Sequence, residues 1–323
     1  MVDSIAVPTT NSGRMQRQRL EDMAFRGTTR IFALGVLLLL GAVMVALLVG
    51  GLPAFQAYGF TFLWSQSWNP VKQVFGGAPA IYGTLVTSLI AMVIGVPLAL
   101  GVAVFLTELC PPVLRRPIGV LIELLAAIPS IIYGIWGLFI LAPFLQTTVQ
   151  PFLKLTIGNI PLIGILFSGP PLGLGILTAG FILAVMVLPF IAAVTRDVFL
   201  TVPAILRESA YGIGCTTSEV VRDIVLPYTR VGVVGGVMLG LGRALGETMA
   251  VTFVIGNAHK ISASLLAPGT TISATLANEF TEAVGELYSS SLIALGFILF
   301  VITFIVLAAA KLLLLRLDQR AAK

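Results

Sequence analysis

The sequence predicts an all-α polytopic membrane protein with six transmembrane helices, and three observations lead to this fold class. First, 58% of the 323 residues are hydrophobic and only 10% are charged, with a mean hydropathy of +1.05. A soluble domain carries about 25% charged residues, so these charges are too few to cover a surface in water. Second, long uncharged stretches recur along the chain. Third, lysine and arginine gather in alternate connections between those stretches.

The uncharged stretches are long enough for helices of about 20 residues, the length that a bilayer requires. None shows the period-two alternation of a membrane β-strand. The first stretch exceeds the apolar core of a signal peptide, about 7–15 residues, and is expected to remain as an anchor. The predicted spans are about 31–52, 79–107, 118–142, 171–195, 229–256 and 289–312, within a membrane domain 31–315 between a disordered tail 1–30 and a C-terminal tail 316–323.

Orientation follows from the basic residues, because cytoplasmic loops carry an excess of lysine and arginine. With a cytoplasmic N-terminus, 15 of the 19 basic residues fall on the cytoplasmic side and 3 on the outer side. The remaining one, Arg243, lies within a span. Both termini are therefore predicted to be cytoplasmic.

Several kinds of function do not fit these residues. No interleaved basic and aromatic face is present, so no nucleic-acid partner is expected. Cys110 and Cys215 fall on the predicted cytoplasmic side, where a disulfide is not expected. His259 has no partner at metal-ligand spacing and is interpreted as a loop residue at a helix end. No lysine follows a glycine, so the chain lacks an ATPase phosphate loop, and no nucleophile and base can be assembled from the spans; no enzyme is predicted.

The connection 196–230 is the longest on the predicted cytoplasmic side. It is expected to form two short amphipathic helices, near 203–211 and 216–225. Glycines end the first helix, a hydroxyl residue caps the second, and a proline separates the second from the fifth span. The residues are Gly212 and Gly214 for the helix end, Thr217 or Ser218 for the cap, and Pro227 for the separation.

The same connection resembles the EAA motif of ABC importer permeases, with Ser209 in place of the usual alanine as the only departure. In that family the loop forms coupling helices that sit in a cleft of a separate ATPase. A short helix in a groove transmits movement while burying little area. The alternative is an ordinary amphipathic connector on the bilayer. The matching positions, here called the EAA residues, are Glu208, Ser209, Ala210, Gly214, Ile224, Leu226 and Pro227.

The fifth predicted span contains Arg243 and Glu247, whose spacing of four lets their side chains meet on one helix face. Each would cost about 2.5–3.5 kcal/mol at the centre of a spanning helix, so this face is expected to point into the protein. Two interpretations remain open: an anion site, in which the guanidinium binds phosphate oxygens and the carboxylate accepts a proton from the ligand, or a salt bridge between helices. Glycines that share this face and allow close helix approach are Gly232, Gly236 and Gly240.

Four segments, 75–88, 123–137, 242–257 and 267–280, resemble the PstC-type permeases of the bacterial phosphate transporter. This resemblance implies a type I ABC importer permease fold in the bacterial cytoplasmic membrane. It implies a heterodimer with a PstA-type permease, a PstB-type ATPase dimer that carries ATP and Mg, and an extracytoplasmic phosphate-binding protein. It also implies that Arg243 and Glu247 take part in phosphate passage and that this chain itself binds no cofactor. Glu123 lies in a matched segment, but its place near the start of the third span equally fits an interfacial carboxylate.

Two other functions stay open. A permease for sulfate or molybdate would use the same loop, but a carboxylate beside Arg243 suits a ligand that still carries a proton, as phosphate does. A proton-driven secondary transporter would use Arg243 and Glu247. The EAA spacing and the lack of an obvious inverted repeat argue against this alternative. The polar outer loop 257–288 is expected to dock the binding protein through acidic residues, namely Glu279, Glu282 and Glu286.

Overall fold

The computed structural model describes residues 12–156, 158, 160 and 164–321, with side chains for those between 18 and 312. Within these residues the secondary structure is helical, apart from an isolated β-bridge between Asn69 and Val74. Six helices of the described part are long and apolar enough to cross a membrane. The all-α fold with six spans is therefore confirmed.

Long helices form the spans, and short helices connect them. In chain order the helices are α1 (Ser12–Tyr58), α2 (Ala78–Leu109), α3 (Pro112–Ala126), α4 (Ser130–Thr156), α5 (Ile176–Leu200), α6 (Ala204–Gly212), α7 (Thr217–Gly246), α8 (Met249–Thr252), α9 (Ile272–Glu279) and α10 (Glu286–Ala321), with single turns at Thr61–Trp64 and Gly164–Phe167. The spans are α1, α2, α4, α5, α7 and α10.

The chain divides into two units after Val49, and the first contains α1 up to that residue. Residues 12–30 are helical, so the expected disordered tail is wrong for them, while residues 1–11 lie outside the described part. Good helix formers fill this stretch, and Arg26 pairs with Asp22 one turn earlier at 3.1 Å. At the other end of the chain α10 continues through Ala321, where a tail was expected from 316.

The second unit, from Gly50 onward, is built around α5. In the most apolar stretch of α5, 67% of the residues are buried, whereas the corresponding share in the other spans is at most 28%. Helices α2, α3 and α7 all pack against it. Close approach of α2 and α5 depends on Gly180, where an added Cβ would lie 2.6 Å from Ile90. This central helix therefore holds in place the elements that carry the candidate sites.

The third span differs from the predicted 118–142. Helix α3 ends at Ala126 and α4 begins at Ser130, because Pro129 lacks an N–H and disfavours a helical residue before it. The segment before the break carries Arg115 and Arg116 and is amphipathic, so the span is Ser130–Thr156. The fourth span is also displaced, from 171–195 to Ile176–Leu200.

The fifth span also differs from its prediction, at both ends. Pro227 does not separate the loop from the span, since α7 is one helix from Thr217 to Gly246. A π turn, Val221–Val225, precedes the proline, and in it the N–H of Leu226 donates to the carbonyl of Val221. This wider turn lets the helix continue through Pro227. The helix then stops at Gly246, well before the predicted end at 256.

Candidate functional site

The loop 196–230 has a tight turn after α6. Gly214 has φ +93°, a backbone conformation that other residues rarely adopt. The turn is closed by the N–H of Cys215, which donates to the carbonyl of Ala210 at 3.1 Å. Gly212 and Gly214 thus lie at the helix end, where the sequence predicted them.

The second helix of the loop begins with a capping box. The N–H of Thr216 donates to Oε2 of Glu219 at 2.7 Å, and the N–H of Glu219 donates to Oγ1 of Thr216 at 3.4 Å. The cap is therefore Thr216, and the predicted Thr217 and Ser218 are the first two residues of α7. A glutamate three residues after the threonine was the signal that could have identified it.

One face of the EAA loop is anchored in the second unit. Ala210, Val220 and Val225 are buried, and they pack with Phe199 and Val202 at the end of α5. The EAA residues Ile224 and Leu226 are partly buried against the same cluster. The apolar EAA residues therefore hold the loop onto the spans.

The opposite face of the loop is open. Ile213 is 84% exposed, and Ile205 is 69% exposed. Of the EAA residues, Glu208 and Ser209 are exposed on α6, and Gly214 and Pro227 are exposed as well. An anchored helix with a partly apolar open face is suited to fit into a groove of a partner.

A largely buried ion pair joins α6 to the end of α2. Nη2 of Arg207 lies 3.3 Å from Oε1 of Glu108, whose side chain is 5% exposed. The same nitrogen donates to the carbonyl of Phe199 at 2.7 Å. No spacing relates residues 108 and 207, so local sequence patterns do not predict this pair. It ties the residue before Glu208 to a span.

The second candidate region is the end of α7. Arg243 lies in its last turn and is exposed, while Glu247 follows the helix with an extended backbone at ψ 131°. Because Glu247 is no longer helical, the expected i, i+4 pair does not form: Arg243 has no ion-pair partner among the described residues. Oε1 of Glu247 instead accepts a hydrogen bond from the N–H of Ala250 at 3.3 Å, at the start of α8.

Beyond the break the chain packs inside the second unit. Ala250, Val251, Val254 and Ile255 are at most 1% exposed, and α8 packs on α4 and α5. An added Cβ at Gly134 of α4 would lie 3.1 Å from Ala250. The fifth span therefore does not continue to residue 256 as predicted. The helix breaks after Gly246, and a packed segment follows. Such non-helical backbone is tolerated among spans where protein surrounds it or it lines a cavity.

The three predicted packing glycines of α7 contact α5. Added Cβ atoms at Gly232, Gly236 and Gly240 would lie 2.5–3.0 Å from Val198, Val194 and Ile191 of α5, respectively. Each glycine thus allows a branched side chain of α5 to approach the α7 backbone. The glycine face is occupied by α5, whereas the Arg243 side chain remains exposed.

The predicted outer loop contributes to a partly buried polar cluster. Oε2 of Glu279 accepts hydrogen bonds from Nε1 of Trp68 at 2.6 Å and from the hydroxyl of Tyr288 at 2.7 Å. Oε1 lies 2.6 Å from Nε2 of His259, whose ring stacks on Trp68. Burial raises the pKa of Glu279, but the hydrogen bonds and the charge of His259 outweigh it and lower the pKa below its ordinary value of 4.5.

This cluster corrects two predictions. Glu279 is turned inward and is not available for docking, unlike the exposed Glu282 and Glu286. His259 is not an isolated loop residue, because it is held between Glu279 and Trp68.

The remaining candidates have simple environments. Glu123 pairs with Nη2 of Arg196 at 2.6 Å. Cys110 and Cys215 are both free. Among the residues that the structure describes, no three His, Cys, Asp or Glu side chains come together as a metal site would require.

Comparison with known sequences gives extensive similarity. Residues 95–319 match the family described as "Binding-protein-dependent transport system inner membrane component". The chain is 63% identical over 318 residues to the "Phosphate transport system permease protein PstC" of Mesorhizobium japonicum, covering 98% of this chain and 97% of the relative. It is 56% identical over 302 residues to the protein of the same name from Pasteurella multocida, covering 94% of each. It is 40% identical over 261 residues to a "Probable phosphate transport system permease protein PstC" of Methanocaldococcus jannaschii, covering 79% of this chain and 81% of the relative.

Solved structures share the fold. A chain of a bacterial ABC transporter involved in the import of the acidic polysaccharide alginate has a TM-score of 0.58 and 16% identity, covering 94% of this chain and 99% of that chain. A chain of the alginate transporter in complex with alginate pentasaccharide-bound periplasmic protein has a TM-score of 0.57 and 18% identity, covering 90% of this chain and 94% of that chain. The similarity confirms the predicted permease fold.

Proposed function

Because the chain belongs to the family of binding-protein-dependent transport permeases that includes the PstC proteins, we propose that it forms half of the membrane pathway of an ATP-driven phosphate importer. It is a multi-pass inner-membrane protein and a permease subunit, and the ATPase is a separate chain. The other half of the pathway is a PstA-type permease. A PstB-type ATPase dimer supplies ATP and Mg, and a phosphate-binding protein delivers the ligand from outside.

The exposure of Arg243 is the observation that supports a pathway role best. A guanidinium on a spanning helix is costly in contact with lipid, so it must face water or another protein chain in the assembly. In the isolated subunit it is exposed and has no ion-pair partner among the described residues, which leaves its donors available to an anion. Tyr133 of α4 lies within electrostatic range of it. We place Arg243 at the boundary with the second permease, where phosphate passes.

Glu247 has a different role from the one that a helical pair would give it. Its carboxylate accepts the N–H of Ala250 at the start of α8 and thereby shapes the break next to Arg243. Interrupted helices beside a charged group are how many transporters build an ion site. A carboxylate here also tolerates a ligand that carries a proton, as HPO₄²⁻ and H₂PO₄⁻ do, better than one that does not.

The EAA loop is the proposed contact with the ATPase. Its buried face is fixed to α5, and its open face presents Ile213 and Glu208. The second helix of the loop is the start of α7, which continues without interruption to Gly246. Movement of the ATPase can therefore reach the Arg243 end along one helix. This arrangement requires the loop and both termini to be cytoplasmic, as the distribution of basic residues predicts.

The test is uptake into vesicles that contain the full transporter. Radiolabelled phosphate is expected to accumulate only with ATP, the partner permease and the ATPase present, and labelled sulfate is not. Glu208→Lys is expected to lower uptake and ATPase association without preventing membrane insertion. Sulfate uptake equal to phosphate uptake would assign another oxyanion, and uptake without ATPase subunits would assign a secondary transporter.

A further inference from the structure

A cavity of 380 Å³ lies between the end of α2, the helix α3 and the end of α5. Its charged lining residues are Arg115, Arg116 and Arg196, with Glu123 as the carboxylate. Three guanidinium groups against the carboxylates of Glu123 and of Asp197, which pairs with Arg196, leave a net formal charge of +1. The cavity therefore attracts anions, and it contains neither Arg243 nor Glu247.

One arginine forms a rigid wall of the cavity. Nη2 of Arg196 lies 2.6 Å from Glu123 and 2.7 Å from Asp197, so both neighbouring carboxylates hold it. An added Cβ at Gly119 would lie 2.5 Å from its Nη1, so the absence of a side chain there lets the guanidinium lie against α3. Its position is fixed before any ligand binds.

The other two arginines lack partners. Neither Arg115 nor Arg116 forms an ion pair with a described residue. Nε of Arg115 is buried, and within the described part of the chain nothing accepts its hydrogen. A buried donor without an acceptor is unfavourable, and native proteins leave few of them. Two unpaired guanidinium groups beside a fixed third are suited to an oxyanion that accepts several hydrogen bonds.

We propose that this cavity binds a phosphate oxyanion, either inorganic phosphate or the phosphate of an anionic phospholipid headgroup. Arg115 and Arg116 donate to it, and Arg196 closes the site. A planar guanidinium matches the spacing of phosphate oxygens, and the net positive charge favours an anion. The site is separate from the proposed pathway. Its lining residues Leu106 and Thr107 immediately precede Glu108, the partner of Arg207 on α6.

The experiment uses the assembled permeases and ATPase in lipid nanodiscs, with Arg243→Gln in every sample so that the pathway does not contribute. Phosphatidylcholine discs are tested for binding of radiolabelled inorganic phosphate. Discs that also contain phosphatidylglycerol are tested for retained phosphatidylglycerol by native mass spectrometry. We expect Arg115→Gln/Arg116→Gln to weaken one of these interactions about tenfold or more. The matched pair Arg26→Gln/Arg30→Gln, outside the cavity lining, should have no effect.

Loss of labelled phosphate assigns free phosphate, and loss of phosphatidylglycerol assigns the headgroup. Arg115→Lys/Arg116→Lys keeps the charge but not the planar fork, so it is expected to bind more tightly than the glutamine pair and less tightly than the parent. Equal binding of both probes by the parent, the glutamine pair and the control pair would overturn the proposal.

Discussion

The two ends of α7 differ in how they depart from a regular helix. At the EAA loop, the turn and the helix start use residues suited to them: Gly214 in a left-handed turn, and Thr216 with Glu219 in a capping box. At the Arg243 end the helix stops at Gly246 with no proline nearby, and Glu247 accepts a hydrogen bond from the N–H of Ala250 in the next turn. Local sequence patterns therefore locate the turn and the cap of the loop, whereas they do not predict the break at Gly246.

The difference also separates two kinds of function. The loop is held by a conventional apolar cluster and by the Arg207–Glu108 pair, so its task depends on stability and position. The Arg243 end of α7 presents a guanidinium without a described ion-pair partner beside irregular backbone. Such an arrangement is energetically unfavourable and is typical of functional sites. Substitutions at the two ends should accordingly affect different measurements.

The largest effect is expected at Arg243. Arg243→Gln removes the charge that would meet the anion and should lower phosphate uptake about a hundred- to a thousandfold, as loss of one well-placed donor does elsewhere. Insertion and ATPase association should stay normal, because the side chain has no described ion-pair partner. Arg243→Lys, which keeps the charge, should recover part of the uptake. Full uptake by Arg243→Gln would leave this end without a role in passage.

The next effect concerns the Arg207–Glu108 pair. Arg207→Gln leaves the 5% exposed Glu108 without its partner and should destabilise the attachment of α6 by about 3 kcal/mol. Glu108→Gln/Arg207→Gln should cost less than Arg207→Gln, because neither charge is then left alone. Thermal unfolding and ATPase association of the purified complex measure both. A double variant that costs the sum of the single changes would show that the two residues do not interact.

A smaller effect distinguishes two neighbouring glycines of the loop. Gly214→Val places a branched residue at φ +93° and should cost about 1–2 kcal/mol or more, with loss of ATP-dependent uptake. Gly212→Ala is the matched control, because no neighbouring atom lies within 4 Å of an added Cβ there and its φ is not positive. Equal uptake by the two variants would mean that the turn geometry does not matter for coupling.

The smallest effect belongs to the outer polar cluster. Glu279→Gln exchanges an acceptor of three hydrogen bonds for an amide and should cost about 1 kcal/mol. Because the folded pKa of Glu279 lies below 4.5, its stabilisation is present above that pH and is lost as the pH falls through the lower folded value. Thermal unfolding of parent and variant should therefore converge at acid pH. A constant difference from about pH 6 to pH 3 would contradict this assignment.

The sequence predicted more of the EAA loop than of the other end because short-range chemistry fixes the loop. Gly214 needs a conformation that glycine favours, and the EAA spacing covers both helices. Two errors were avoidable, since Pro129 marks the start of the third span and Glu219 marks the cap at Thr216.

Other features could not be predicted from local pattern. Residues 249–255 are as apolar as a span, so hydropathy does not distinguish a packed turn from a continuing helix. The π turn before Pro227 has no local signature. The contacts of Glu108 with Arg207, and of Glu279 with Trp68 and His259, join residues distant in sequence.

The central claim is that Arg243 faces a water-filled path in the assembled transporter. The most direct measurement is the reaction of a membrane-impermeant charged thiol reagent with Arg243→Cys, after Cys110 and Cys215 are replaced by alanine. We predict that position 243 reacts, while Leu38→Cys on the apolar α1 does not react. An unreactive position 243 in a correctly assembled transporter would contradict the claim.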